Sequence, residues 1–223
     1  MQRTIKTVID FLLALISIIV LSPIMIIAAI GILISSKGPI LYKAKRMGKG
    51  MKEITVYKFR TMRVGADKAG SITGAKDSRI FPWGNFLRLS KIDELPQLFN
   101  ILNGTMSVVG PRPEDINIVK EHYTEEEKHT LDVVPGLASP GSIFNYTPGD
   151  QYLDDNNAED SYTGEYLRIK LALDLYYLKH WNLLYDVEII WRTIYVIIGT
   201  LLFHKQFDYP REYKRIYGGT KGN

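Results

Sequence analysis

Two adjacent carboxylates, Asp93 and Glu94, open the run Asp93-Glu94-Leu95-Pro96-Gln97-Leu98, and their setting is the one in this chain that could support chemistry. Pro96 is tolerated only in the first turn of a helix. The pair therefore falls at or beside a helix N-terminus, where unpaired amides and the macrodipole favour anions. An Asp N-cap with a Glu in the first turn is also a common structural device worth ~0.5 to 2 kcal/mol, so the pair alone leaves cap and catalyst both open. The segments around it are rich in phosphate-binding side chains: Lys58 and Arg60 in Tyr57–Met62, Arg88 just ahead of the pair, and Arg112 between two prolines. A guanidinium grips phosphate by two parallel hydrogen bonds, and a proline-flanked arginine has little freedom to lose. Two carboxylates alone repel phosphate. With a divalent cation between them and basic groups opposite, the same site can hold a pyrophosphate and leave one carboxylate free to attack phosphorus.

Other machinery is missing. The chain has no cysteine, which removes thiol catalysis, disulfides and Cys-based zinc sites, and its four histidines are scattered. There is no Walker A loop, GxGxxG, G-x-S-x-G or HExxH pattern. A net charge of +4 and a pI near 9.0 are too mild to argue for nucleic acid as a partner.

The elements that must position these residues begin with an anchor. Residues 8–34 carry one charge, Asp10, and are long enough for the ~20 residues that a membrane crossing needs. Two features predict a re-entrant helix-break-helix instead. Ser22 and Pro23 stand in the middle of the run, and both flanks are positive, with Arg3 and Lys6 before and Lys37, Lys43, Lys45 and Arg46 after. Each half, about 14 residues or ~21 Å of helix, falls short of the ~30 Å hydrocarbon core. Nine Lys or Arg and one acid, Glu53, follow between Lys37 and Arg63, as suits a segment meeting anionic headgroups of a phospholipid membrane.

The length of 223 residues and 46% hydrophobic content allow one sizeable core. We expect an anchor at 1–36, a catalytic domain at 37–203 and a basic tail at 204–223. The fold class is α+β, mostly helical, with a small β hairpin (39–44 and 54–59 around Gly48-Lys49-Gly50) and amphipathic surface helices. Helices are predicted at 83–89, 95–102, 116–133 and 166–181, the third with Glu125, Glu126 and Glu127 outward, and a strand at 106–109. Loops are predicted at 67–80 and 150–160. From Val187 to Phe203 apolar residues recur at helical spacing and suit either core packing or a helix in the headgroup region, with Trp191, Tyr195 and Phe203 at the interface.

Several of these segments together carry a resemblance: Ser22-Pro23 within the anchor, Arg46-Met47-Gly48, YKFRTM at 57–62, LSKIDELPQLFNILNGTMSVVGPRPE at 89–114, and Pro135-Gly136. They resemble the bacterial sugar transferases that load polyprenol phosphate, the monotopic phosphoglycosyl transferases, over most of residues 1–136. The small size looks like the minimal form of that family. The resemblance implies that Asp93 attacks the sugar-linked phosphate of a nucleoside diphosphate sugar, expected to be a UDP-sugar, and that polyprenol phosphate (undecaprenyl phosphate) collects the phosphosugar from the aspartyl intermediate. It implies that Glu94, with Asp93, helps hold Mg²⁺, and that Lys58, Arg88 and Arg112 position phosphates. It places the re-entrant break at Ser22 and Pro23 and the active site on the cytoplasmic face of a bacterial inner membrane, at the first membrane step of a glycoconjugate pathway. The segment after Pro135-Gly136 departs from the family pattern and leaves the sugar and nucleotide preference open. A membrane-anchored scaffold and a metal-dependent phosphohydrolase are the alternatives, separable by whether nucleoside monophosphate is released and whether release needs polyprenol phosphate.

Overall fold

The computed structural model of the chain describes residues 2–66, 77–148, 152 and 158–218. Its longest element, α1 (Gln2–Ser35), is one helix of 34 residues, about 51 Å long at 1.5 Å per residue. Helical structure runs through Pro23, with the Ser22 hydroxyl donating to Ile19 O at 2.8 Å, so the division expected at Ser22-Pro23 is not a loss of helix. Proline removes one amide and crowds one carbonyl, and the backbone on either side stays helical. Ile19, Val20, Ile26, Ile27, Ile30 and Ile34 stand exposed along one face of α1, while Ala14, Ala28 and Ile32 are buried against the rest of the protein.

The hairpin is present as β1 (Leu41–Met47) and β2 (Glu53–Phe59), antiparallel with Leu41 opposite Phe59 and Met47 opposite Glu53. β1 extends three residues past the expected end because its backbone continues to pair across to Glu53. The turn uses left-handed conformations at Gly50 and Met51. Next come α2 (Pro82–Leu89), α3 (Gln97–Leu102) and β3 (Ser107–Val109), then α4 (Ile116–His122), β4 (Gly136–Ala138) and α5 (Pro140–Ile143), then α6 (Ala158–Ser161), α7 (Leu167–His180), α8 (Leu183–Phe203) and α9 (Arg211–Tyr217). The predicted loops at 67–80 and 150–160 lie largely outside the described residues.

Two expectations are corrected. The predicted helix at 116–133 is two pieces, α4 and a 3₁₀ turn at Glu127–Leu131. Thr124 and Glu127 exchange side-chain and backbone hydrogen bonds across the junction, a capping box that starts a new helix rather than continuing the old one. For the same reason Glu127 is not outward with its neighbours: it is buried and paired with Arg168. The strand β4, in the segment that departs from the family pattern, was not foreseen. It pairs parallel with β3, and Gly136 allows it, because a Cβ there would lie 2.0 Å from Gly110 N.

Hydrophobic clusters join these elements to α1. Ala28 and Ile32 pack with Phe59, Phe81 and Leu87, and Ala14 packs with Ala44, Val56, Leu98 and Ile101; each fully buried Leu or Phe is worth ~1.5–3 kcal/mol. Polar ties hold both ends of the helix to the same domain. Near the start, Ser107 Oγ donates to Asp10 (2.6 Å) and Lys6 pairs with Asp186 (2.7 Å). Near the end, Trp83 Nε1 donates to Ala28 O (3.3 Å).

Candidate active site

Asp93 and Glu94 sit in a 3₁₀ turn, Ile92–Glu94, just before α3. Neither caps a helix. The residue before α3 is Pro96, with no side-chain cap, and Asp93 Oδ1 is buried with no hydrogen-bond partner among the described residues. A cap carboxylate accepts backbone amides, and an unpartnered buried carboxylate oxygen costs free energy. Asp93 therefore does not act as a helix cap.

Its neighbour is fully engaged. Glu94 accepts two hydrogen bonds from Arg112, Nη2 to Oε1 at 2.6 Å and Nη1 to Oε2 at 3.2 Å, with Gln97 on Oε2 (3.1 Å) and Lys58 3.4 Å from Oε1. The pKa values of the two side chains are pushed in opposite directions. Burial and the Glu94 charge push the Asp93 carboxyl up to about 6 against the pull of Lys58, Lys91 and Arg88. Burial would raise Glu94 too, but Arg112 and Lys58 outweigh it and hold Glu94 well below the usual carboxylate range.

Each basic residue arrives on its own element. Lys58 comes from β2, which α3 grips through Asn100: the side chain accepts from Tyr57 N (2.9 Å) and donates to Thr55 O (2.7 Å). Burial lowers the Lys58 ammonium, opposed by Glu94. Arg88 comes from α2, whose Gly84 lies so close to the Thr61 backbone that a Cβ would stand 2.1 Å from Thr61 O. Arg88 Nε donates to Thr61 Oγ1 (2.9 Å), which leaves its terminal nitrogens without a protein acceptor among the described residues. Arg112 is fixed through its backbone, whose N–H donates to the buried carboxylate of Asp174 (3.3 Å) on α7. Asp174 also accepts from Gly141 N (2.9 Å), and burial pushes it up to about 6.

Asp93, Lys58 and Arg88 line one cleft of about 360 Å³, together with Arg46, Thr61 and Arg63. Arg46 is held by Asp115 at 2.7 Å. Arg60 also borders this cleft, but its guanidinium faces the end of α1, donating to Ser36 O (2.6 Å), Ser36 Oγ (2.8 Å) and Pro39 O (2.6 Å). The expected phosphate ligand is thus spent on the backbone and the Ser36 hydroxyl of the segment that follows α1. Ser22 and Pro23 lie within α1 and do not border this cleft. Thr61, Arg63 and Lys91 were not foreseen. The first two flank or lie within the motif that supplied Lys58 and could have been read from it. Lys91 takes a left-handed backbone (φ 57°, ψ 14°) that no local sequence signal marks.

Comparison with known proteins is consistent with this geometry. Residues 1–200 match the family model described as bacterial sugar transferase. The chain is 35% identical over 202 residues to a UDP-glucose:undecaprenyl-phosphate glucose-1-phosphate transferase of Xanthomonas campestris pv. campestris, covering 87% of this chain and 39% of the relative. It is 34% identical over 197 residues to a UDP-N-acetylgalactosamine-undecaprenyl-phosphate N-acetylgalactosaminephosphotransferase of Aeromonas hydrophila, covering 87% and 44%. It is 34% identical over 201 residues to the exopolysaccharide production protein PSS of Rhizobium leguminosarum bv. phaseoli, covering 87% and 95%. The chain therefore spans about two fifths of the Xanthomonas and Aeromonas proteins and nearly all of the Rhizobium one. With a family match over residues 1–200 and a carboxylate pair set among basic side chains, this chain belongs to the bacterial sugar transferase family.

Proposed function

We propose that this protein moves a sugar 1-phosphate from a nucleoside diphosphate sugar, a UDP-sugar, to undecaprenyl phosphate through a covalent intermediate on Asp93. The observation that carries the reading is the buried, unpartnered Asp93 Oδ1 in a carboxylate that borders a cleft lined by Lys58, Arg46, Arg63 and Arg88. A carboxylate short of hydrogen bonds and of water is a stronger nucleophile than a solvated one. In the first step a carboxylate oxygen of Asp93 bonds to the sugar-linked phosphorus. The bond from that phosphorus to the bridging oxygen breaks, and the nucleoside monophosphate leaves with the electron pair. In the second step a phosphate oxygen of undecaprenyl phosphate bonds to the same phosphorus and the aspartate leaves, regenerating the carboxylate. Arg88 and Lys58 offset charge on the leaving phosphate, and Arg112 holds Glu94 in place.

The donor set fits a Mg²⁺ ion. Such an ion takes one or two carboxylates and fills its remaining positions with substrate phosphate and water; Asp93 offers an unpartnered oxygen, and Glu94 beside it would join only by sharing an oxygen now held by Arg112, Gln97 or Lys58. When bound, Mg²⁺ would supply charge neutralisation of the diphosphate.

Membrane attachment through α1 without a crossing is part of the reading. Both ends of the helix are tied to one polar domain, through Lys6 and Asp10 at the start and Ser36 just past the end, while its other face is apolar and exposed. A domain holding both ends stays on one side of the membrane, which we take to be the cytoplasmic side of a bacterial inner membrane, at the first membrane step of a glycoconjugate pathway.

The test is a panel of nucleotide sugars incubated with Mg²⁺, with and without undecaprenyl phosphate, scored for nucleoside monophosphate and for a phosphosugar adduct on the peptide containing Asp93. The expected result is repeated turnover that depends on undecaprenyl phosphate and, in its absence, a single equivalent of nucleoside monophosphate released as the adduct is trapped. Repeated turnover that ignores the lipid would point to hydrolysis, and no release from any donor would leave a scaffold.

A further inference from the structure

The carboxylate pair borders two clefts. Asp93 lines the basic one, and Glu94 lines a second of about 320 Å³ that shares no lining residue with the first. This second cleft lies between α1 and α8, which begin together at the Lys6–Asp186 ion pair and run in the same direction. Leu13, Ser17 and Leu21 of α1 form one wall, and Ile190, Ile194 and Ile197 of α8 form the other. These stretches make walls roughly 12 Å long. Leu13 and Ile194 are 39% and 41% exposed, so the cleft opens on the side where both helices present apolar residues, Ile16, Ile19 and Val20 on one and Trp191, Ile198 and Leu202 on the other.

At its inner end the character changes. Lys91, Arg112 and Glu94 converge there with Tyr146. Glu94 and Arg112 occupy each other, but Lys91 has no ion-pair partner among the described residues, and its ammonium stands 5.6 Å over the Tyr146 ring. A long aliphatic slot that ends on an uncommitted cation is complementary to an amphiphile with one anionic head. Ser17 and Thr193 are the only polar residues that α1 and α8 give to its walls, few partners for the hydroxyls and base of a nucleotide, which lose free energy when buried unpaired. An open side continuous with the lipid-facing surfaces of α1 and α8 lets a chain enter without leaving the hydrocarbon.

We propose that the α1–α8 cleft holds the first isoprene units of the polyprenol phosphate acceptor and that Lys91 receives its phosphate beside Glu94. The assignment rests on the function proposed above and adds a location to it: the nucleotide sugar reaches the pair through the basic cleft and the lipid through the apolar one. Lys91 is a binding residue in this arrangement, and its left-handed backbone aims the side chain across the turn toward Tyr146 rather than outward.

The experiment uses the full chain in phospholipid nanodiscs and an undecaprenyl phosphate analogue with a diazirine on its first isoprene unit. Photolabelling is expected on residues 13–21 and 190–197, displaced by unlabelled undecaprenyl phosphate but not by equal phosphatidylglycerol or inorganic phosphate. Lys91→Met should raise KM for undecaprenyl phosphate by ~10-fold, the size of one lost charge-assisted hydrogen bond, and Lys91→Arg should recover most of it. Labels confined to outward residues such as Ile19, Ile27 and Ile30, equal displacement by phosphatidylglycerol, or an unchanged lipid KM in Lys91→Met would each overturn the assignment. Those failures, seen while wild-type protein still releases nucleoside monophosphate in response to undecaprenyl phosphate, leave the proposed function standing. Absence of that release removes the function, and the labelling pattern still decides the cleft.

Discussion

Glu94 and Arg112 form a two-point ion pair, 2.6 and 3.2 Å, that ties the turn before α3 to the proline-bracketed segment after β3. The adjacent Asp93 carries a buried oxygen with no partner among the described residues. Two neighbouring carboxylates are thereby separated in environment, one immobilised by a guanidinium and the other left with an oxygen that no described residue engages.

Substitution should separate the two side chains in role. Asp93→Asn removes a desolvated charge that Lys58, Lys91 and Arg88 only partly offset, so its melting temperature should equal or exceed that of the wild type while turnover falls by at least roughly 10³-fold and the adduct disappears. Arg112→Ala strands the Glu94 charge in the interior. It should cost ~3–5 kcal/mol in denaturant unfolding as well as activity. A destabilised Asp93→Asn protein would show that the carboxylate was structural.

Activity should follow the ionisation of Asp93. Burial and Glu94 raise its pKa to about 6, and attack requires the carboxylate, so kcat/KM for the nucleotide sugar should climb as pH rises through about 6 and level above it. Bound Mg²⁺ would move that limb to lower pH, and a profile taken at several Mg²⁺ concentrations measures the displacement. A flat profile from pH 5 to 8 at limiting Mg²⁺ would contradict the assignment.

The topology can be read chemically because the chain contains no cysteine. Single substitutions Thr4→Cys and Lys37→Cys, at the two ends of α1, should both react with a membrane-impermeant maleimide from the same side of sealed vesicles. Labelling from opposite sides would establish a crossing.

Gly136→Ala should reach the site without touching it. A Cβ at 136 would sit 2.0 Å from Gly110 N, forcing β3 and β4 apart just ahead of Arg112. We expect ~1–3 kcal/mol of destabilisation and a lower kcat. Unfolding curves and initial rates on the same preparation check both.

Glu212 offers a pH test of stability away from the site. It is fully buried on α9, joined by Arg192 at 2.7 and 2.9 Å and by Tyr185 at 2.6 Å. Burial opposes its charge, yet Arg192 and Tyr185 bring its pKa down to about 2 from 4.5. The folded carboxylate is the stronger acid, so its contribution is complete above about 4.5 and is lost as pH falls toward about 2. Glu212→Gln should lower the melting temperature at pH 7, and the difference from wild type should shrink steadily between pH 4.5 and 2.

Much of this protein is decided by local sequence. Apolar content and length make α1 a helix whichever way it lies. The Gly48-Lys49-Gly50 turn between β-forming runs makes the hairpin, and Pro96 confines the start of α3. The candidate residues Asp93, Glu94, Lys58, Arg88 and Arg112 were visible because their types are unusual in combination. Spatial relations were not visible, because a sequence records which groups a chain owns and says little about which become each other's partners. Arg60 carries the same charge as Arg88, yet one is consumed by carbonyls just past α1 while the other keeps its terminal nitrogens without an acceptor among the described residues. Glu94 and Asp93 are one peptide bond apart, and only the arrival of Arg112 from across the fold makes one a fixed anion and leaves the other short of partners. Glu127 turned inward because Thr124 and Arg168 were there to receive it. Local propensity sets backbone conformation within a few residues, whereas desolvation and charge pairing depend on distances that exist only after α1, β2, α2 and the segment after β3 have packed together.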